Sequence, residues 1–161
     1  MILLVDIGNT STKVATYDIK ANKVKNYSSF LTCKKNTILK IIKYKKNKKI
    51  KFSFISSVVP NIYKIIKKNF NKNKIKVFEF KDKKIIKNIK INVNKKLQVG
   101  SDRIANAIGS LNFYEKNCII IDFGTATTFD IALTKNIYQG GIIAPGINLS
   151  LRSLSEFTAK L

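Results

Sequence analysis

Twice in this chain a short apolar run delivers an aspartate, then a glycine, then hydroxyls, into a tight turn. The first is Ile2-Leu3-Leu4-Val5 followed by Asp6-Ile7-Gly8-Asn9-Thr10-Ser11-Thr12-Lys13; the second is Cys118-Ile119-Ile120-Ile121 followed by Asp122-Phe123-Gly124-Thr125-Ala126-Thr127-Thr128. Each apolar run reads as a buried strand. Glycine lets the backbone adopt φ > 0 and approach a ligand closely. Hydroxyls and exposed backbone N–H groups bind phosphate oxygens, and an Asp beside them can hold a cation. One such turn alone is ordinary Gly-Asn hairpin chemistry. Two facing each other would hold the polyphosphate of a nucleotide from both sides. The pair constrains the chain to two strand-rich halves that open alike, an internally duplicated nucleotide-binding α/β architecture.

Periodicity between the turns fits that plan. Ile2 to Val5 and Thr12 to Tyr17 read as a hairpin, with Val24 to Phe30 as a third strand. Ile38, Leu39, Ile41 and Ile42 give Asn36 to Tyr44 a helical face. Phe52 to Ser56 reads as a strand, Pro60 opens a helix through Tyr63, Ile65 and Ile66, and Ile75 to Phe80 alternates as a strand. Lys81 to Gln98 is Lys- and Asn-rich and reads as a connection with short strands. Beyond Gly100, Ile104, Ala107, Ile108 and Leu111 predict a helix over Arg103 to Tyr114, with Ser101 or Asp102 as its N-cap. Strands follow at Cys118 to Asp122, Thr127 to Leu133 and Ile137 to Ile143, then a helix from Asn148 to the end.

Composition excludes several chemistries. The chain has 161 residues, enough for one domain with a real core or two small lobes. It contains no His, and Cys33 and Cys118 are isolated, so zinc sites and Ser-His-Asp catalysis are not expected. Asp6 interrupts the opening apolar run, which argues against a signal peptide, and no apolar stretch approaches the roughly 20 residues a membrane span needs. The expected compartment is the cytoplasm. The formal charge of +22 is almost all lysine, Arg103 and Arg152 being the two arginines. A Lys-rich surface attracts phosphate backbones. Sequence-specific readers rely on Arg or on aromatics stacked with bases, and neither pattern is present. Joint enrichment of Lys, Asn and Ile is what an AT-rich genome produces, so no specific nucleic-acid partner is expected. The surface still attracts an anionic small substrate.

Other residues carry chemistry of their own. Asp6 can orient Mg²⁺ through water, while Gly8, Asn9 and Thr10 offer N–H and hydroxyl groups to phosphate and Lys13 adds a point charge. Asp102 and Arg103 stand at a helix start after Gly100. An Asp there is an N-cap or a base, and an Arg amid so many lysines suggests bidentate binding of a carboxylate. Together they suit a substrate with a hydroxyl to activate and an acid group. Asp122 can bind a cation, and Asp130 lies further along the next strand. Gly140, Gly141, Pro145 and Gly146 form a structural turn or let backbone pass close to a flat ring such as adenine.

Taken together, D-x-G-N-T-x-x-K at Asp6 to Lys13, G-x-D-R at Gly100 to Arg103, D-x-G-T-A-T-T at Asp122 to Thr128 and G-G-x-I-x-P-G at Gly140 to Gly146 resemble the type III pantothenate kinase family. The tail Leu149 to Leu161, with Thr158-Ala159-Lys160-Leu161, is similar to the family's segment after the last motif. The resemblance implies an α/β, ribonuclease H-like (actin-like ATPase) duplicated fold of the acetate and sugar kinase superfamily. Its two lobes would be residues 1–99 and 100–161. It implies ATP-dependent phosphorylation of pantothenate to 4'-phosphopantothenate, the first step towards coenzyme A.

By motif, Asp102 is then the proton acceptor, and Gly100, Ser101, Asp102 and Arg103 contact pantothenate. Asp6, Ile7, Gly8, Asn9, Thr10, Ser11, Thr12, Lys13 and Thr125 bind ATP, with Asp6 near Mg²⁺. Asp122 binds a monovalent cation, K⁺ or NH₄⁺, and the usual assembly is a homodimer. Two departures stand out. Asn92 to Gln98 lacks the Tyr and Pro that relatives carry before G-x-D-R, so the pantothenate wall is expected to differ. Relatives also continue past the position of Leu161 with helical and strand segments that include a Gly- and Thr-bearing pantothenate contact. The second lobe is therefore expected to be short, with an apolar face exposed. The alternative function is a catalytically impaired or non-catalytic relative that binds nucleotide or acts as a protein or transcription accessory factor. A ribonuclease H-type nuclease would draw on Asp6, Asp122 and Asp130 for two metals, but leaves Gly100 to Arg103 unexplained.

Overall fold

The computed structural model describes residues 1–47 and 49–157. The chain divides into two compact units, Met1–Ile85 with Gly100–Asp102, and Ile86–Val99 with Arg103–Leu161. Among the described residues no helix is long and apolar enough to cross a membrane.

The first unit contains β1 (Ile2–Ile7), β2 (Ser11–Asp18), β3 (Lys23–Leu31), α1 (Lys34–Ile42), β4 (Phe52–Ser57), α2 (Pro60–Lys72) and β5 (Lys76–Glu79). The sheet order is β3-β2-β1-β4-β5. Tight turns make β1, β2 and β3 an antiparallel meander, while α1 and α2 carry the chain back so that β4 and β5 run parallel to β1. Alternation along β1 sends Leu3, Val5 and Ile7 to one face, where they are buried with Ile41 of α1 and Ile62, Ile66 and Phe70 of α2. The last three recur every fourth residue, one stripe of a helix whose other face is mostly Lys and Asn. Pro60 sits in the first turn of α2, where its missing N–H costs nothing.

A single helical turn, α3 (Lys83–Ile86), and the short β6 (Lys90–Ile91) follow, so the Lys-rich connection holds helical turns as well as the expected strand. The second unit is completed by α4 (Ser101–Tyr114), β7 (Cys118–Phe123), β8 (Ala126–Leu133), β9 (Ile137–Pro145) and α5 (Ile147–Phe157). Its sheet order is β6-β9-β8-β7, with β7, β8 and β9 an antiparallel meander and β6 parallel to β9. Ile104, Ala107 and Leu111 of α4 pack with Ile91, Ala132 and Tyr138 to make the core. The succession β1-β2-β3-α1 thus recurs as β7-β8-β9-α5, as the paired turns required.

Two expectations change. Helix α4 begins at Ser101 itself, not after a Ser101 or Asp102 cap, because the Ser101 hydroxyl is bound elsewhere. Gly140 and Gly141 lie within β9. There the pairing with β8 shifts by one residue, and Gly140 takes φ 101, a bulge that glycine makes easy. The predicted end of the last helix, Thr158 to Leu161, lies outside the described residues.

Candidate functional site

In the first unit, the turn after β1 is closed by the Gly8 N–H donating to the Ser11 carbonyl at 3.0 Å. Thr32, at the end of β3, fastens it twice: its N–H donates to the Thr10 carbonyl at 2.8 Å and its hydroxyl to the Gly8 carbonyl at 2.8 Å. Thr12 is fully buried with its hydroxyl 2.9 Å from that of Thr32, so its side chain is scaffolding for the turn. Asn9 and Thr10 are left exposed at the tip. Asp6 stands directly opposite Lys13 on β2 and Ser56 on β4, so the three side chains share one sheet face at the carboxyl end of β1. That face is the reverse of the one buried against α1 and α2.

The same unit holds Gly100 to Asp102. Ser101 is fully buried, and its hydroxyl accepts the Ser57 N–H at 3.0 Å, reaches the Ser57 carbonyl at 3.2 Å and lies 3.3 Å from the Ser56 hydroxyl. Ser101 therefore ties the start of α4 to the end of β4, the strand beside Asp6. Asp102 folds back over Gly100, and a Cβ on residue 100 would collide with its carboxylate. Glycine at 100 leaves room for the carboxylate of the next residue but one. Sequence reasoning named Gly100 to Asp102 as substrate contacts; what it missed is this latch, whose partner residues lie more than forty positions upstream.

In the second unit, the side chain of Arg103 is committed internally. Its Nε donates to Asp130 Oδ1 at 2.8 Å and its Nη2 lies 2.6 Å from the same oxygen. The Tyr138 hydroxyl donates to that oxygen at 2.6 Å, and Asp130 is fully buried. The need for a carboxylate that Arg103 suggested is met within the protein. Asp130, one of the three carboxylates a nuclease would draw on, thus spends one of its oxygens on Arg103 and Tyr138. At the second Asp-Gly turn, the Gly124 N–H donates to the Ala126 carbonyl at 3.1 Å, leaving Thr125 exposed. Gly146 runs against the backbone carbonyls of Gly124 and Thr125 so closely that a Cβ would clash, which is why glycine precedes α5. Asp122 Oδ2 accepts the Asn106 side-chain N–H of α4 at 3.0 Å. Thr128 stands directly opposite Asp122, and its hydroxyl oxygen is buried without a hydrogen-bond partner. A half-buried carboxylate facing an orphaned hydroxyl suits a cation with oxygen ligands. Among the described residues no cluster of three or more His, Cys, Asp or Glu forms a ready-made metal cage.

Comparison with known proteins gives the family and the fold class. The family model for type III pantothenate kinase matches residues 2–161. The type III pantothenate kinase of Pelagibacter ubique is 44% identical over 167 residues, covering 100% of this chain and 65% of that protein. That of Thermosipho africanus is 37% identical over 166 residues with the same coverage. The chain thus spans about two thirds of the length of the curated relatives it matches. Among solved structures, the Aquifex aeolicus Ppx/GppA family member aligns over 99% of this chain and 55% of its own, with TM-score 0.53 and 13% identity. The type II variant of the Aquifex aeolicus Ppx/GppA phosphatase aligns over 99% of this chain and 56% of its own, with TM-score 0.55 and 13% identity. At such identities the likeness is one of fold, the α/β ribonuclease H-like (actin-like ATPase) class. The chain belongs to the type III pantothenate kinase family.

Proposed function

We propose that this protein transfers the γ-phosphoryl group of ATP to the primary hydroxyl of pantothenate, giving 4'-phosphopantothenate for coenzyme A synthesis. The observation that carries this reading is the Ser101 latch, which brings the Gly100 to Asp102 segment to the end of β4, the strand paired with Asp6 and its phosphate-type turn. Phosphoryl transfer needs positioning, charge neutralisation and a carboxylate at the attacking hydroxyl. Asp102 is that carboxylate: it accepts the hydroxyl proton as the oxygen attacks the γ-phosphorus. Gly100 and Ser101 shape the pantothenate contact, and Arg103, held by Asp130, is read with them as the last residue of the same motif.

The turn from Asp6 to Lys13 binds the ATP phosphates through Gly8, Asn9, Thr10 and Ser11, with Lys13 as a point charge and Thr12 as its support. Thr125, exposed at the second Asp-Gly turn, is read as a further ATP contact. Asp6 holds Mg²⁺ through water, and Asp122 with Thr128 holds a monovalent cation, K⁺ or NH₄⁺. When bound, these ions neutralise phosphate charge. The protein is read as a cytoplasmic homodimer, with lobes 1–99 and 100–161.

The test is phosphopantothenate formation by the full chain with ATP, Mg²⁺, K⁺ and pantothenate, alongside Asp102→Asn. Asp102→Asn is expected to lower kcat by about 10²- to 10⁴-fold while ATP still binds. Turnover unaffected by the substitution would remove Asp102 as the base. ATP binding without product would favour the second reading, a nucleotide-binding relative without transfer activity.

A further inference from the structure

The lysines are not spread evenly over the two units. The first unit holds 22 lysines against five acidic residues; the second holds nine basic residues against four. Base composition acts on a whole gene and would load both units alike. Between Asp18 and Glu79 the chain has 18 lysines and no acidic residue. That interval supplies α1 and α2, which lie on the same face of the first sheet, because Ile41 of one and Ile62, Ile66 and Phe70 of the other enter one core. Their outer sides form one layer, and on it or at its margin Lys34, Lys35, Lys43, Lys64, Lys68 and Lys72 are exposed. Among the described residues none of these six has an ion-pair partner. Like charges left uncompensated work against the compact state, and a bound polyanion relieves them.

The chemistry of this layer selects its partner. Neither helix contains Arg or an exposed aromatic side chain. Protein interfaces are enriched in both and depleted in Lys. A bilayer surface is met by Lys beside Trp, Phe or Leu residues that sink into it; here the large exposed apolar side chains are Leu39 and Ile65, 59% and 40% exposed. Single strands dock by stacking their bases on aromatic rings. The backbone of a double strand needs none of these, because its phosphates are met by hydrated point charges. We propose that the outer layer of α1 and α2 is a docking surface for double-stranded nucleic acid, held by its phosphates without sequence preference. Lys64, Lys68 and Lys72 recur every fourth residue and place one ammonium about every 6 Å along α2, which is the line of contact. This binding goes beyond phosphoryl transfer and uses none of the residues assigned to it.

The test measures binding of the full chain to a mixed-sequence DNA duplex of about 20 base pairs, by fluorescence anisotropy from about 50 to 200 mM salt. The expected Kd near physiological salt is about 1–100 µM, the same for two unrelated sequences. Replacing three lysines of the stripe together, Lys64→Gln, Lys68→Gln and Lys72→Gln, should make the slope of log K against log salt shallower by about 2.7. Lys87→Gln, Lys90→Gln and Lys116→Gln together remove the same charge from exposed positions of the second unit, and should leave the slope within about 0.5 of its original value. All six positions are exposed, so both triple variants should fold, and circular dichroism checks that they do. An equal loss in the two triple variants would reduce the binding to net charge and overturn the proposal. A Kd weaker than about 100 µM would also overturn it. So would tighter binding to the single strand, or to phosphatidylserine vesicles, than to the duplex.

Discussion

Removing one oxygen from Ser101 tests whether the latch positions Asp102, the proposed base. The Ser101 hydroxyl is fully buried, accepts the Ser57 N–H at 3.0 Å and donates to the Ser57 carbonyl at 3.2 Å. Ser101→Ala removes both bonds and leaves almost no cavity, because only the oxygen is lost. Each bond contributes about 1 kcal/mol net, and a backbone N–H left in a part-buried position adds about another 1 kcal/mol. The expected loss is therefore about 2–3 kcal/mol. With a urea m-value of about 2 kcal/mol/M for a chain this size, the unfolding midpoint should fall by about 1 M. The same substitution frees the first turn of α4, so kcat for pantothenate should drop while the KM for ATP stays near its original value. A midpoint within about 0.2 M of the unmodified protein, at unchanged m, would refute the latch. A lowered midpoint with kcat intact would leave it a structural tie and remove its positioning role.

Three further outcomes follow from individual contacts. Gly100→Ala puts a Cβ into the Asp102 carboxylate, a movable group, so stability should change by less than about 1 kcal/mol while kcat falls at least about tenfold; unaltered turnover would show that Asp102 does not need this pose. Asp130→Asn removes the buried counter-charge of Arg103, and urea unfolding should show a loss of about 3–5 kcal/mol; a loss under about 1 kcal/mol would mean that the pair is not holding the second unit's core. Burial holds Glu79 above the ordinary carboxylate range, and the neighbouring Asp82 adds to the rise. The folded state then binds that proton more tightly than the unfolded chain, so Glu79 opposes folding increasingly as pH rises through its raised value. Glu79→Gln should raise Tm at pH 7 with the gain vanishing near pH 3.5, where both forms are neutral; an equal gain at both pH values would contradict the burial argument.

What was legible in the sequence was whatever depended on neighbours along the chain. The strand alternation of β1 and β7, the helical stripe of α2 and the glycine-bearing turns are local patterns, and each predicted element stands close to where it was expected. What was not legible depended on distant partners. Ser101 looked like a helix cap because that is the local use of a serine before a helix, and its actual partner, Ser57, comes from another strand. Arg103 signalled a need for a carboxylate, but no spacing rule marks Asp130 as the one that meets it, 27 residues on and one strand over. Gly140 was placed in a strand over Ile137 to Ile143 and read there as turn or ring-approach chemistry; the one-residue shift between β8 and β9 that makes it a bulge has no local signal.

The two Asp-Gly turns, alike in sequence, are unlike in electrostatics, and the difference lies in one cross-strand position. Asp6 faces Lys13, whereas Asp122 faces Thr128. Side chains directly opposite on antiparallel strands stand about 5 Å apart at Cβ, close enough for one charge to offset the other. At the first turn Lys13 stands across from the carboxylate, so a phosphate meeting the exposed tip at Asn9 and Thr10 finds a positive charge beside the negative one. At the second turn, among the described residues, the carboxylate meets neutral dipoles: the Asn106 amide on one oxygen and the Thr128 hydroxyl directly across the strand pair. A negative charge left uncompensated attracts a cation and disfavours a phosphate placed directly on it. The proposed division of labour, polyphosphate at Asp6 and a monovalent cation at Asp122, thus follows from which residue faces each aspartate. Exchanging those partners, with Lys13→Thr and Thr128→Lys, should weaken ATP binding at the first turn and abolish the dependence of turnover on K⁺ at the second.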